Sequence, residues 1–128
     1  MRLFQIAILL ALVVASSRLN AQNVTVHDTG TFSNMYYNEE GGDALGEEIR
    51  ILKGGVSYWV LFQYAEGEIS VPVLVQAMVR GNQITFRLPS TCEGFGKFTG
   101  TIHKSFLTGK FSDREKPITL KRGKSYWD

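Results

Sequence analysis

The alternation of apolar and polar residues in short segments limits the fold of this chain more than any other feature. In segment 56–64, apolar residues occupy every second position: Val56, Tyr58, Val60, Phe62 and Tyr64. A repeat of two residues places successive side chains on opposite faces, so it predicts a β-strand with one buried face. No helical repeat longer than one turn follows residue 22, and the chain is therefore predicted to be all-β.

Further strand-like segments recur at intervals of roughly ten residues, which is typical of antiparallel sandwiches and barrels. They cover residues 30–37, 45–52, 69–79, 83–88, 98–103, 107–111 and 117–120. Short turns with glycine join several of them, for example at 53–55, 65–67 and 80–82. Because such short turns connect neighbouring antiparallel strands, we predict about eight strands in an up-and-down meander that closes as a small β-barrel. A β-sandwich is the alternative.

Details within the segments refine this prediction. Residues of 69–79 that share one face are Ile69, Val71, Val73, Val75, Ala77 and Val79. Pro72 lies on the opposite face and removes a hydrogen-bond donor, so this strand is predicted to be an edge strand or to bulge near its start. Gly100 and Gly109 suit the crowded bends of a small barrel. Large inward aromatics predict a mostly filled interior with a shallow mouth: Tyr58, Phe62, Tyr64, Phe86, Phe98 and Phe111.

The first 21 residues have the pattern of a signal peptide. Arg2 precedes an apolar stretch at 3–15 that only Gln5 interrupts, and small or polar residues follow. A stretch of this length is short for a bilayer span, which needs about 20 apolar residues. We predict cleavage after Ala21, with Ser17 or an uncleaved anchor as alternatives. Residues 22–128 then form a single β domain, exported to a bacterial periplasm or secreted, without a stable membrane span.

Charge and cysteine content exclude several function classes. The chain has 14 Lys and Arg against 12 Asp and Glu, and Arg2 and Arg18 lie in the predicted signal peptide. The mature chain is then neutral, which argues against nucleic-acid binding. The only cysteine, Cys92, permits no internal disulfide framework and no cysteine-rich zinc site. We interpret it as a partly buried thiol, with pairing between chains as the alternative.

An acidic loop at 38–48 is the first candidate site. Its carboxylates are Glu39, Glu40, Asp43 and Glu47, with Glu48 beside them. Dense carboxylates could bind a cation such as calcium, although the spacing is not that of an EF-hand. Paired carboxylates could also serve glycoside hydrolysis, which needs two groups held about 5–9.5 Å apart. We favour a solvated hairpin loop, and predict neither catalytic residues nor a resident metal or cofactor.

A possible interaction surface is the second candidate site. Trp59 lies between inward Tyr58 and Val60, so its large ring faces outward, and Leu61 and Leu74 follow on the same side. Met78 extends this face, and Tyr36 and Trp127 are further exposed aromatic candidates. The surface could be covered by the C-terminal Tyr126-Trp127 tail, by a second copy of the chain in a homodimer, or by a foreign partner.

Several short segments resemble known β proteins. The hairpin at 98–111, Phe98-Thr-Gly-Thr-Ile-His-Lys-Ser-Phe-Leu-Thr-Gly-Lys-Phe111, resembles hairpins of calycin-type barrels, both lipocalin-like and avidin-like. The opening Gly30-Thr-Phe-Ser-Asn34 is similar to the first strand of the avidin group. Segments 40–47 and 121–128 resemble small exported bacterial β proteins. The resemblance implies a barrel architecture and an exported location, and it implies no particular ligand.

Two classes of function follow from the sequence. The first is a non-enzymatic binding domain whose partner is a protein or a small apolar ligand. The second is a hydrolase that uses the acidic loop. Because no nucleophile–base pair is recognisable, we favour the binding domain. A ligand carrier should contain an apolar cavity of roughly 300 Å³ or more, whereas an interaction domain should have a filled barrel and an exposed apolar patch.

Overall fold

The computed structural model describes residues 27–128, and the predicted signal peptide at 1–21 lies outside the described residues. Nine β-strands make up the regular structure of this part: β1 (Gly30–Ser33), β2 (Tyr36–Asn38), β3 (Asp43–Gly54), β4 (Ser57–Ile69), β5 (Val73–Arg80), β6 (Gln83–Arg87), β7 (Lys97–Ile102), β8 (Phe106–Phe111) and β9 (Ile118–Arg122). The prediction of an all-β chain is confirmed.

The sheet closes on itself through the first strand. Consecutive strands from β3 to β9 pair in antiparallel fashion, and β1 pairs with both β3 and β9. Eight strands therefore form a closed barrel, and β2 adds a ninth strand beside the start of β3. The predicted up-and-down barrel is confirmed over the alternative sandwich, and the architecture is compatible with that of calycins. Closure leaves no free edge along the eight barrel strands, since every one has two neighbours.

Phenylalanine rings fill the inside of the barrel. Fully buried side chains include Phe32, Phe62, Phe95, Phe98 and Phe111. Their ring centroids lie close together, for example 4.9 Å apart for both Phe95–Phe111 and Phe98–Phe111. The inward faces predicted for β3, β4 and β6 are confirmed, because Ile49, Ile51, Val60, Phe62, Ile84 and Phe86 are all buried.

Two glycines make room for one of these rings. Gly100 of β7 and Gly109 of β8 are cross-strand partners, and the Phe98 ring lies against both. A Cβ atom at Gly100 would stand 2.5 Å from the Phe98 ring and 2.6 Å from the Thr108 carbonyl oxygen. A side chain at this position would overlap both, so glycine is required by close approach.

An arginine stacks on an aromatic ring near each end of the barrel. At one end, the Arg114 guanidinium lies 3.7 Å from the centroid of Phe95. At the other end, Arg122 lies 4.4 Å from the Phe32 centroid. Arg122 also donates to the carbonyl oxygens of Thr29 and His27, at 2.6 and 2.7 Å. It therefore ties the segment before β1 to the last strand.

Beyond the barrel, β2 and the adjoining ends of β3 and β4 form a small extension. The segment predicted as one strand at 30–37 is divided here into β1 and β2. Asn34 occupies the bend, where its side-chain oxygen accepts a hydrogen bond from the Glu47 backbone N–H at 2.6 Å. Gly46 has φ +109°, and a Cβ there would meet the Asn34 carbonyl oxygen. A second small core fills the extension: Met35, Ala44 and Ala65, with Ile69 and Tyr126 packed against it.

Three local predictions are wrong. The turn expected at 65–67 is part of β4, which continues along β3 because Gly67 pairs with Ala44. The strand expected from residue 69 begins at Val73, and Pro72 precedes it. Since β5 has neighbours on both sides, it is neither an edge strand nor bulged by this proline.

The inward faces of two segments also extend less far than predicted. Val56 is 96 % exposed in the turn before β4, and Val71 is 82 % exposed before β5. Both residues follow the apolar repeat but lie outside the paired strands, where the alternation no longer controls burial.

Candidate functional site

The outer wall of β3–β5 carries an apolar surface. Its members are Leu52, Trp59, Leu61, Leu74 and Met78, and we refer to them as the outer apolar face. Leu52 pairs with Trp59, and Leu61 pairs with Leu74 in the next strand. Leu52, Leu74 and Met78 are 42 %, 59 % and 56 % exposed, and Trp59 and Leu61 are half-buried. The structure thus brings together three of the predicted site residues, Trp59, Leu61 and Leu74.

The C-terminal tail lies across one end of this face. Glu48 is 5 % exposed and accepts hydrogen bonds from the Ser125 hydroxyl at 2.5 Å and from the Tyr126 backbone N–H at 2.7 Å. The Trp127 indole N–H donates to the Gln63 side-chain oxygen at 2.8 Å, although 61 % of Trp127 remains exposed. The tail therefore places a second tryptophan beside Leu61 and leaves much of its ring accessible.

A groove of about 490 Å³ runs between the tail and the face. Its walls are Glu48, Arg50, Leu61, Gln63, Pro72, Trp127 and Asp128. The buried Nε atom of Arg50 has no hydrogen-bond partner among the described residues. The groove thus combines apolar walls with the polar side chains of Glu48, Arg50 and Gln63, which suits a chain segment with an apolar side chain beside a polar group.

A wider depression of about 840 Å³ lies on the other side of the face. It extends from Val56 and Ser57 across Met78 to Arg87 and Lys97. Arg87 and Lys97 are directly opposite each other on β6 and β7. Both are exposed, so this border of the face is cationic.

Tyr36 does not join the outer apolar face. It is 55 % exposed on β2 and pairs with Leu45, whose partner on β4 is Glu66. Glu66 follows Leu61 by five residues along β4, so Tyr36 belongs to the extension.

The predicted cation loop is spread over a turn and a strand. Glu39 and Glu40 are exposed in the turn before β3, whereas Asp43 and Glu47 are part of β3 itself. Glu47 lies 3.7 Å from Arg114, and Asp43 has one buried oxygen without a hydrogen-bond partner. Within residues 27–128, no group of three or more His, Cys, Asp or Glu side chains is arranged to hold a metal ion.

The cysteine and one histidine belong to the body of the barrel. Cys92 is 6 % exposed in the loop before β7, and burial raises the pKa of its thiol while a hydrogen bond with the Thr91 side chain opposes this shift. A raised pKa reduces the thiolate fraction, and with it the nucleophilicity of the cysteine.

His103 stacks on Phe106 with ring centroids 4.3 Å apart, and its Nε2 lies 3.1 Å from the Thr108 hydroxyl.

Sequence reasoning missed several residues of the groove. Arg50 was recognisable, because it alternates with Ile49 and Ile51 and pairs with the strand of Leu61. Glu48 and Gln63 lie on the same outward registers as Arg50 and Leu61, but their contacts with the tail, and the place of Pro72 in the groove, depend on where the tail docks.

Comparisons with protein-family models, with curated protein sequences and with solved structures yield no significant match for this chain. Within residues 27–128, no helix is long and apolar enough to cross a membrane.

Proposed function

We propose that this chain is an exported, non-catalytic β-barrel domain that binds another protein through the outer apolar face. One observation carries the proposal: large apolar side chains are gathered on the outside of β3–β5, while aromatic rings already fill the inside. Soluble proteins seldom gather large apolar side chains on one outer wall unless a partner covers them, and here Gln76 opposite Trp59 and Arg50 opposite Leu61 add polar groups to the same wall. Tryptophan is also among the residues that contribute most to binding energy at protein interfaces.

The packing of the interior supports a protein partner over a small apolar ligand. Phe62 contacts the rings of Phe95 and Phe111, with centroids 5.2 and 5.5 Å away. Phe86 stacks on Phe98 at 5.0 Å. A carrier needs an apolar cavity of roughly 300 Å³ or more, and these rings occupy the part of the interior around Phe62 and Phe98.

The groove beside Trp127 suggests how a partner is recognised. Arg50 lines this groove, and a guanidinium carries several N–H donors, so an oxygen of a partner segment would be favoured beside it. Leu61, Pro72 and the Trp127 ring would contact an apolar side chain next to that oxygen. A partner segment with a backbone or side-chain oxygen beside an apolar residue fits this chemistry.

The proposal also includes a family relationship and a location for the chain. A closed eight-stranded barrel that begins with Gly30-Thr-Phe-Ser supports a calycin-type relationship. The charged start and the apolar stretch of residues 1–21 support export to the periplasm or the medium.

A site-specific photocrosslinker tests the binding face directly. The crosslinking residue is introduced at Leu74, and at Thr119 on β9 as the control, because Thr119 is exposed and polar. We expect protein adducts in the producing cells from position 74 and few from position 119. Adducts from 119 with none from 74 would contradict the proposed face.

Replacement of Trp59 separates binding from folding. In Trp59→Ala we expect the loss of the adducts from position 74, because an interface tryptophan typically contributes about 2 kcal/mol or more. Thermal melting should change little, since Trp59 faces outward. A lower melting temperature with the adducts retained would assign Trp59 to the stability of the barrel and remove it from the interface.

A further inference from the structure

The two halves of the described chain carry opposite net charge. Residues 27–69 contain eight carboxylates and two cations, whereas residues 70–128 contain four carboxylates and ten cations. Strands β5–β9 contain six Lys and Arg residues and no Asp or Glu. The described chain has no net charge as a whole, yet the strands of its second half are purely basic.

Four of these cations form a line on the outer wall of the barrel. Arg87, Lys97, Lys110 and Lys121 lie on β6, β7, β8 and β9, one on each strand. Each is next to a buried residue along its strand, so its own exposed side chain faces outward. Arg87 is directly opposite Lys97, and Lys110 is opposite Thr99, two residues further along β7. Strand spacing and rise then place Arg87, Lys97 and Lys110 about 5 and 8 Å apart in succession.

No carboxylate of the described residues neutralises this line. Both ion pairs within residues 27–128 involve Arg114, with Glu47 and Glu66 as its partners. Like charges directly opposite each other on neighbouring strands destabilise a sheet, and Arg87 and Lys97 stand in that relation. A bound anion would remove this repulsion, so the arrangement favours an anionic ligand.

Hydroxyl groups occupy the wall beside the cations. Thr85 is opposite Thr99, and Thr101 is opposite Thr108, which is in turn opposite Thr119. A hydroxyl group can both donate and accept a hydrogen bond. The line of cations and these five threonines together form what we call the basic wall.

Two adjoining depressions shape the basic wall. The depression of about 840 Å³ reaches Thr85, Arg87 and Lys97 at this side of the barrel. A second one, of about 330 Å³, is lined by Thr99 and Lys110 among others. Because Thr85 and Thr99 are directly opposite each other, the two depressions meet between them. A ligand that fills both would cross β6–β8 along the line of cations.

We propose that the basic wall binds a linear anionic polysaccharide. This inference goes beyond the proposed function and uses other strands than the outer apolar face. Carboxylate or sulfate groups of the polysaccharide pair with the cations through charge-assisted hydrogen bonds, while the sugar hydroxyls bond to the threonines. The cations are spread over four strands, which fits a ligand with charges repeated along a chain better than a single anion.

Other polyanions fit the basic wall less well. Proteins that bind single-stranded nucleic acid stack the bases on aromatic side chains. Among the outward positions of β6–β9 the one aromatic residue is Phe106, and His103 already stacks on its ring with centroids 4.3 Å apart. A membrane surface is bound by apolar side chains that enter the headgroup layer, whereas threonines occupy the centre of this wall.

Titration calorimetry with defined polymers is the first test. Polygalacturonate and dextran sulfate are the charged probes, and dextran is the uncharged control. We expect binding of a charged probe that weakens as salt rises, because the exposed charges are screened, and no binding of dextran. The charged probe that binds more tightly identifies the anionic group as carboxylate or sulfate.

Three results would overturn the inference. One is that neither charged probe binds, and another is that dextran binds as tightly as they do. The third is that duplex DNA or phosphatidylglycerol vesicles bind more tightly than both charged polysaccharides.

Paired substitutions separate the basic wall from the overall charge of the protein. Lys97→Gln combined with Lys110→Gln removes two cations of the line, and Lys53→Gln combined with Lys124→Gln removes two cations elsewhere. The first variant should raise the dissociation constant by about tenfold or more, because hydrogen bonds to charged groups are lost. The second should bind like the original chain. Equal weakening in both variants would show that only the net charge matters and would contradict a specific wall.

A threonine variant tests for the saccharide itself. Thr99→Val keeps the shape of the exposed side chain but removes its hydroxyl, and we expect about threefold weaker binding or more. Thr31→Val on β1 is the matched control and should have no effect. Unchanged binding in Thr99→Val would leave charge as the sole attraction and overturn the assignment of a polysaccharide.

The failure of this inference is distinguishable from that of the proposed function. Trp59→Ala should bind the charged probe like the original chain, because Trp59 lies on β4, outside the basic wall. If Trp59→Ala loses the probe together with the adducts from position 74, one surface binds both partners and the separate wall is wrong. Circular dichroism of each variant confirms that the barrel is folded.

Discussion

At the scale of the residue, Phe62 shows how closely this barrel is packed. It is fully buried and lies against Tyr64, Phe95 and Phe111. Phe62→Ala should lower the free energy of unfolding by about 3–5 kcal/mol, because the barrel cannot collapse around the lost ring. Urea denaturation measures this loss, and Leu74→Ala is the exposed control with an expected change of about 0.5 kcal/mol or less. A loss below about 1 kcal/mol for Phe62→Ala would contradict the inward face of β4.

Gly100 is sensitive for a different reason. Its substitution by alanine adds a methyl group that overlaps the Phe98 ring and the Thr108 carbonyl oxygen. We expect Gly100→Ala to destabilise the barrel by about 1–3 kcal/mol, as overpacking usually does. Gly123→Ala is the control, since no atom lies within 4 Å of the added group. Equal melting temperatures for the two variants would show that the β7–β8 pair can move apart without cost.

Cys92 should react slowly with alkylating reagents. Burial raises the pKa of its thiol, so at a given pH the folded protein holds less thiolate than the unfolded chain. Iodoacetamide labelling of Cys92, detected by mass spectrometry, should therefore be slow in the folded protein at neutral pH and fast in denaturant. The thiol ionises at a lower pH in the unfolded chain than in the folded protein. The buried, protonated thiol should therefore contribute to the free energy of unfolding below the unfolded pKa, and this contribution should be lost as the pH rises through the folded pKa. Equally fast labelling of the folded protein would show that the thiol is accessible.

At the scale of the element, one buried carboxylate accepts two of the hydrogen bonds that hold the tail. Glu48 accepts from both Ser125 and Tyr126, and glutamine can offer only one acceptor oxygen in its place. Glu48→Gln should cost about 1–3 kcal/mol of stability and release the tail. Carboxypeptidase digestion with intact-mass detection should then trim the C-terminus faster than in the original chain. The control is Glu47→Gln. This change affects the ion pair with Arg114, which lies away from the tail, and should leave the rate of C-terminal digestion unchanged.

At the scale of the whole molecule, the proposed export predicts a shorter mature chain. Residues 1–21 should be absent from the exported protein, because an apolar stretch of this length after a positive start is removed by signal peptidase. Intact-mass measurement of protein from the periplasm or medium checks the cleavage site and separates Ala21 from Ser17. A membrane-bound protein with the full mass would contradict the prediction.

The sequence by itself determined where most strands lie and which face of their paired part is buried. Alternation in a segment such as 56–64 depends only on neighbouring residues, and one buried face requires it wherever strands pair. Short turns at 53–55 and 80–82 likewise join consecutive strands without information from elsewhere in the chain. The order of the strands, the buried Val60 and Phe62, and the outward Trp59, Leu61 and Leu74 were therefore predictable from local patterns.

Tertiary structure alone decided where the pattern stops and how distant segments meet. The division of β1 from β2 depends on Asn34 packing against Gly46, and the continuation of β4 through 65–67 depends on its partner in β3. The pairing of β1 with β9, which closes the barrel, and the hydrogen bond of the tail to Glu48 both join residues more than 70 positions apart. Contacts between residues so far apart produce no repeat in the sequence, because the neighbours of each residue along the chain do not depend on its distant partner. For the same reason the groove beside Trp127 exists only once the barrel has closed.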